Sequence, residues 1–186
     1  SFSSVSSLHI MKRTAISIIT FLSLLSANAQ TNDNTPQHGF TWGVEVGSGI
    51  DMGGDNMSTL NLAALIGYRT SWINFAGVGL GIDMMMSNSC RSFPIYGMIR
   101  SSFAEKPKLF FAEMRAGVAL NQATDVPDRT NLFLQPGAGI YLATGKTFAS
   151  YITLSYTYNA MTFYGDKKDT LVHGLNMATL SLGVTF

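Results

Sequence analysis

Regular alternation of apolar residues with small or polar ones is the feature that most constrains how this chain can fold. The alternation recurs in eight segments, and each segment carries two chemically different rows of side chains. A period of two is that of a β-strand, whose successive side chains point to opposite faces. Each segment is about as long as a tilted strand that crosses a bilayer. The segments run over 40–50, 60–69, 76–84, 93–103, 110–121, 132–142, 148–159 and 177–186.

The charged residues of these segments all fall on the row that also carries the glycines. A soluble barrel with this row as its core would bury the charges and expose rows of aliphatic residues. A soluble barrel with the apolar row inside would show mostly glycine to water, which is poor for solubility. A membrane barrel instead turns its apolar row to lipid and its polar row inward. The charges expected to form an interior network are Glu45, Arg69, Asp83, Arg100, Glu113 and Arg115.

We therefore predict an all-β fold: an eight-stranded antiparallel up-and-down transmembrane β-barrel preceded by a signal peptide. A four-residue turn over 105–108 would place Arg100 opposite Glu113 on the inward row, where unlike charges are favourable partners. An interior of eight strands is about the width that side chains fill, so we expect a plugged barrel that conducts no solutes. The large inward residues expected to block it are Tyr96, Met98, Arg100, Phe111, Arg115, Phe133, Tyr141 and Tyr151.

Composition excludes other classes of protein. Only 12% of the residues are charged and the formal net charge is +1, which provides no basic patch for nucleic acid. Hydrophobic residues reach 46%, and 18 glycines are present, as suits a barrel in lipid. Cys90 is the only cysteine, so no intrachain disulfide can form, and a free loop thiol is expected.

The N-terminal region has the three parts of an export signal. Lys12 and Arg13 form a positive segment, an apolar run follows over 15–25, and Ala27-Asn28-Ala29 is a cleavage site of the A-x-A kind. The apolar run is too short to span a bilayer as a helix. We expect cleavage before Gln30.

This signal divides the chain into four parts. Residues 1–10 precede the first methionine and are interpreted as an upstream extension, and 11–29 are the signal peptide. Residues 30–38 are polar and aperiodic, which predicts a flexible leader. The barrel then occupies 39–186. The expected location is the bacterial outer membrane, with its lipid as the first partner.

Connections of unequal length indicate the orientation. With the N-terminus in the periplasm, the longer connections 51–58, 87–92, 122–131 and 160–173 would be external, while the turns 70–72, 105–108 and 144–146 would be periplasmic. Aromatic residues collect near the periplasmic boundary, where a girdle is expected. They are Phe40, Trp42, Tyr68, Trp72, Phe103, Phe110, Phe148 and Phe186; Phe93, Tyr156 and Tyr158 would form the outer girdle.

The longest external connection mixes aromatic residues with charges of both signs. Such a surface suits contact with an extracellular protein or glycan, and a merely solvated loop is the alternative. The candidate contact residues are Phe163, Tyr164, Asp166, Lys167, Lys168 and Asp169.

With these features the chain resembles the small eight-stranded outer-membrane barrels of the OmpX type, the OmpA membrane domain and the PorT-like barrel group. The resemblance covers about 39–186 and rests on the signal site, the alternating strands and the last strand, 178–186, which ends on Phe186. It implies that Phe186 is part of the signal read by the outer-membrane assembly machinery. It identifies the fold much better than the function.

Motifs for enzymatic chemistry are weak. Gly145-Lys146-Thr147 lacks the first glycine of a phosphate-binding loop, because position 140 is isoleucine. The glycines over 77–81 precede no helix pattern, as a nucleotide fingerprint requires, so they are expected to thin the barrel interior where larger side chains cross. His173 lies near the outer rim without a catalytic motif around it. No cofactor or metal is expected, since no group of ligands has metal-binding spacing.

Three classes of function remain open at this point. The first is a structural or surface-interaction barrel without enzymatic activity. The second is an outer-membrane enzyme that modifies lipids, of which His173 could be a part. The third is the barrel component of a secretion or transport assembly, which the PorT-like resemblance supports.

Overall fold

The computed structural model describes residues 39–54, 58–70, 73–85, 90–102, 109–123, 126–145, 148–164 and 171–186. The predicted upstream extension, signal peptide and leader lie outside these residues. In the part described, no helix is long and apolar enough to span a membrane. The strands are β1 (Gly39–Asp51), β2 (Thr59–Arg69), β3 (Phe75–Met85), β4 (Arg91–Ser102), β5 (Phe110–Ala123), β6 (Val126–Thr144), β7 (Ala149–Tyr164) and β8 (Leu171–Thr185).

The eight strands form one closed antiparallel barrel. Each strand pairs with its neighbours in sequence, and β8 pairs with β1 to complete the circle. At this seam, Trp42 and Phe186 exchange two backbone hydrogen bonds of 3.1 and 2.7 Å, and their rings stack with centroids 4.8 Å apart. The predicted up-and-down topology is confirmed.

The barrel has two ends, which differ in what they carry. We call the end with the β1–β2, β3–β4, β5–β6 and β7–β8 connections the loop end. The terminal end holds Gly39, Phe186 and the other three connections. The short turn after β2 is closed at this end by a 2.9 Å hydrogen bond from the Thr70 amide to the Ile73 carbonyl. The predicted turn 105–108 lies outside the described residues.

The exterior of the barrel is apolar, as the alternation predicts. Most outward residues of every strand are apolar, with Leu154 at 63% exposure and Phe40 at 67% as examples. Inward residues of the same strands are buried polar residues, glycines, and a set of large aromatic rings and methionines. This distribution is the reverse of a soluble barrel and is that of a transmembrane β-barrel.

Most of the predicted periplasmic girdle is present at the terminal end. Phe148 packs on Phe186 with ring centroids 5.7 Å apart, and Phe40 pairs with Tyr68 across β1 and β2. Of the remaining members, Trp42 and Phe110 are exposed there, whereas Trp72 and Phe103 lie outside the described residues.

Two of the predicted external connections are largely strand. The expected loop 122–131 is occupied by the ends of β5 and β6, and the expected loop 160–173 by the ends of β7 and β8. The prediction was wrong because it read strands only from alternation. Backbone pairing continues beyond the apolar band, where outward side chains such as Asp128 and Thr130 are exposed and need not be apolar.

The candidate contact residues on the β7–β8 hairpin are affected by this correction. Phe163 and Tyr164 belong to β7 rather than to a loop, and their backbones pair with Val172 and Leu171. The remaining candidates, Asp166, Lys167, Lys168 and Asp169, lie outside the described residues. Their part in any contact stays a prediction.

Candidate functional site

Inward aromatic rings fill the lumen by lying across glycines of the neighbouring strand. Tyr96 faces Gly79, and Tyr151 faces Gly183, as register partners. A Cβ at either glycine would overlap the facing ring. The same relation holds for Phe111 and Gly139, which also pair across strands. Of the glycines over 77–81 predicted to thin the barrel interior, Gly79 confirms the prediction, whereas a Cβ at Gly81 would meet Pro94 and one at Gly77 would meet the backbone of β2.

This arrangement makes one glycine substitution informative. We expect Gly183→Ala to lower the free energy of unfolding by about 1–3 kcal/mol, because the added methyl overlaps the Tyr151 ring and overpacks the lumen. Gly97→Ala is the matched control, since the nearest atom to its Cβ is the Ala116 carbonyl oxygen at 3.9 Å. Urea unfolding of both variants in one lipid or detergent checks this. Equal stability of the two variants would contradict the packing.

Four of the six predicted interior charges form one closed ion cluster. The register pairs Arg100 with Glu113 as predicted, with the Nη2–Oε2 distance at 2.7 Å. Arg115 contacts the other oxygen of Glu113 at 2.5 Å. Glu45 reaches across the lumen from β1 and contacts both arginines, Arg100 at 3.1 Å and Arg115 at 2.6 Å. Two carboxylates and two guanidinium groups thus balance each other's charge.

Aromatic side chains support the ion cluster. The Tyr151 hydroxyl donates a 2.6 Å hydrogen bond to Glu45. The guanidinium carbon of Arg100 lies 3.7 Å from the centroid of the Tyr151 ring and 4.5 Å from that of Phe111. A cation held over a ring face is attracted by the electron density of that face. Stacking therefore helps to hold the Arg100 guanidinium plane across the lumen, and the Tyr151 hydrogen bond holds Glu45.

The other two predicted charges do not join this network. Arg69 lies at the terminal end, where it donates to the Asn74 carbonyl at 3.2 Å and to the Thr185 hydroxyl at 3.1 Å. Asp83 lies towards the loop end and accepts a 2.7 Å hydrogen bond from Asn61. The prediction of one six-membered network was wrong because it used only the shared face, whereas these residues sit at different heights along the barrel.

Above the ion cluster, amides and hydroxyls pair across the lumen. Asn121 and Asn159 exchange hydrogen bonds of 2.9 and 3.0 Å, and Gln135 donates to Ser155 at 2.9 Å. A cavity of about 20 Å³ lies beside them, which is room for a water molecule. The cavity is bordered by Asp83 and Arg115 among others.

A buried cluster that the alternation pattern did not predict lies in the lumen near the loop end. Its members are Met85, Cys90, Met161, Leu175 and Met177. Cys90 is a free thiol, as expected, but it is buried rather than exposed in a loop. Alternation in β3 and β8 places two members, Met85 and Met177, on the inward row. Alternation alone does not show that these two side chains meet.

His173 lies apart from the buried polar side chains of the lumen. It is exposed on β8, and its Nδ1 lies 3.2 Å from the Thr162 hydroxyl of β7. Among the described residues, no group of three or more histidine, cysteine, aspartate or glutamate side chains could hold a metal ion.

Comparison with known proteins gives structural neighbours but no family. No protein-family model and no curated protein matches the chain. Neisserial surface protein A is similar at 17% identity and a TM-score of 0.47, over 80% of this chain and 95% of that one. The N-terminal β-barrel domain of Pseudomonas aeruginosa OprF is similar at 17% identity and 0.46, over 81% and 100%.

A third similar structure is that of an outer membrane enzyme, PagL. It has 17% identity and a TM-score of 0.49, over 76% of this chain and 97% of that one. Similarity at these levels does not carry an activity or a ligand from one protein to another.

Proposed function

We propose that this chain is a small non-conducting barrel of the bacterial outer membrane with a structural or surface-interaction role. The observation that carries the proposal is the combination of an apolar exterior with a filled polar lumen. A bilayer is the solvent in which such an exterior is favourable. At the finer level, the topology fits the OmpX-type, OmpA-domain and PorT-like barrels to which the sequence has a resemblance.

Interaction at the loop end follows from the filled lumen. A barrel that passes no solute meets large partners at its surface, and functional variation in scaffold folds sits on the connections. We propose an extracellular protein or glycan as the partner there. At the other end, Phe186 is half exposed and held against Trp42, and we propose that the assembly machinery reads this C-terminal strand before closure.

We propose further that the barrel is not an enzyme. Its buried carboxylates Glu45 and Glu113 face arginines at ion-pair distance. Groups that neutralise each other in this way stabilise a scaffold and are poorly placed to exchange protons with a substrate. The support for this part is the pairing itself.

Planar-bilayer recording tests the proposal. We expect the purified barrel to show no large stable conductance, because Glu45 reaches Arg100 and Arg115 across the lumen and rings fill the space around them. Slower migration after boiling on a gel is the control that the sample is folded. A steady open pore in a folded sample would contradict the proposal.

A further inference from the structure

The cluster near the loop end is built mainly from sulfur-bearing side chains. Met85, Cys90, Met161 and Met177 supply sulfur, and Leu175 is the fifth member. Each is at most 7% exposed. They come from β3, from the residue before β4, and from β7 and β8, so these sulfur-bearing side chains meet in one cluster from opposite sides of the barrel.

Burial alone does not account for the choice of sulfur. Where this barrel needs an apolar surface towards lipid, it uses mainly leucine, isoleucine and valine. Four described methionines are buried in the lumen, and three of them belong to this cluster; the fourth, Met98, packs in another. The only cysteine of the chain, Cys90, completes the group. Aliphatic residues would seal the lumen as well without providing lone pairs.

Local backbone features place these residues. The Met85 amide donates a 3.2 Å hydrogen bond to the Cys90 carbonyl, which ties the two residues together across the β3–β4 connection. The β7–β8 register shifts between Asn159 and Thr162, so that Met161 lies in a bulge. Bulges redirect side chains and are common beside functional sites. Met161 is fully buried, on the same inward row as Asn159.

The electrostatic setting favours a cation. Asp83 occupies the next inward position below Met85 on β3, two residues away. It accepts a hydrogen bond from Asn61 and has no ion pair within the described residues. Its carboxylate therefore leaves negative charge beneath the sulfurs. The Met177 sulfur also accepts a 3.5 Å hydrogen bond from Thr59, so a lone pair is directed to the polar lumen.

We propose that this sulfur cluster binds Cu(I). A thiolate with thioether ligands is the soft donor set that selects Cu(I) over harder cations. Binding forms a bond from copper to the Cys90 sulfur and releases the thiol proton to solvent, while the methionine sulfurs donate lone pairs without losing a proton. Met85 and Cys90 have the slightly exposed positions of the cluster and provide the entry from the loop end.

Competition with the Cu(I) chelator bathocuproine disulfonate, without oxygen, tests the proposal on the folded full barrel. We expect the wild-type barrel to withdraw one Cu(I) per chain, with X-ray absorption showing sulfur ligands. Cys90→Ala and Met161→Leu should each weaken Cu(I) binding by about tenfold or more. Removing a residue that only supports a metal ligand already weakens binding by about tenfold or more, and removing the ligand itself should weaken it at least as much. Asp83→Asn should weaken it less.

Two methionine variants serve as matched controls. Met98→Leu changes a methionine buried elsewhere in the lumen, and Met114→Leu changes one that faces lipid; both should bind Cu(I) as the wild type does. Methionine-to-leucine changes nearly conserve volume, so folding should persist, and heat-modifiability on a gel verifies it for each variant. Failure of folded wild-type protein to compete for Cu(I), or equal weakening by Met98→Leu and Met161→Leu, would overturn the proposal.

Discussion

Replacing Glu113 with alanine is expected to lower the free energy of unfolding by about 3–5 kcal/mol, the cost of removing one member of a buried ion pair. Glu113 contacts Arg100 at 2.7 Å and Arg115 at 2.5 Å, and all three side chains are almost fully buried. Its removal leaves two guanidinium groups with Glu45 as their shared carboxylate. Urea unfolding in lipid vesicles measures the change.

Asp83→Asn is the control for this prediction. Asp83 is also a buried carboxylate on the inward face, but its described partner is Asn61, which can still donate to an asparagine oxygen. We expect a loss below about 1 kcal/mol, the size of one altered hydrogen bond. If the two variants lost equal stability, the ion cluster would not be the main polar contribution to the lumen.

The second large effect is expected on the outer surface. Leu154 is 63% exposed on β7, beside Leu180 of β8 and midway along the apolar band. An arginine here must enter hydrocarbon, so Leu154→Arg should destabilise the barrel in lipid by about 2–4 kcal/mol. The measurement is again urea unfolding in lipid vesicles.

An arginine placed nearer the end of the barrel is the control for Leu154→Arg. Phe110 is equally outward and 60% exposed, but it lies at the terminal end of β5. Phe110→Arg should therefore cost only about 0–1 kcal/mol, the value for a charge near the interface. An arginine at Leu154 that was tolerated as well as one at Phe110 would indicate that the apolar band does not face lipid.

The fold could be predicted from sequence because one rule governs most of it. Alternation assigns each residue to a face, and a hairpin turn then sets the register of its two strands. The Arg100–Glu113 pair follows from these two facts, and the structure confirms it. The inward placement of Tyr96, Phe111 and Tyr151 follows in the same way.

Contacts across the lumen could not be predicted. Glu45 meets Arg115 from 70 residues away in sequence, and Tyr151 meets Glu45 from 106 residues away. Such contacts depend on how far each strand is staggered along the barrel axis, which alternation does not encode. The convergence of Met85, Cys90 and Met161 depends on the same stagger. The hairpin extensions were missed because outward residues outside the bilayer lose their apolar pattern.

Accessibility of spin labels in lipid tests the central claim, an apolar exterior facing the bilayer, most directly. Labels would be placed at Leu154 and Leu180, with Met52 of the loop end as the aqueous reference and Cys90→Ser as the background. The account predicts strong relaxation by oxygen, which dissolves in lipid, at Leu154 and Leu180, and by a water-soluble nickel chelate only at Met52. Nickel-chelate access at Leu154 and Leu180 equal to that at Met52 would contradict it.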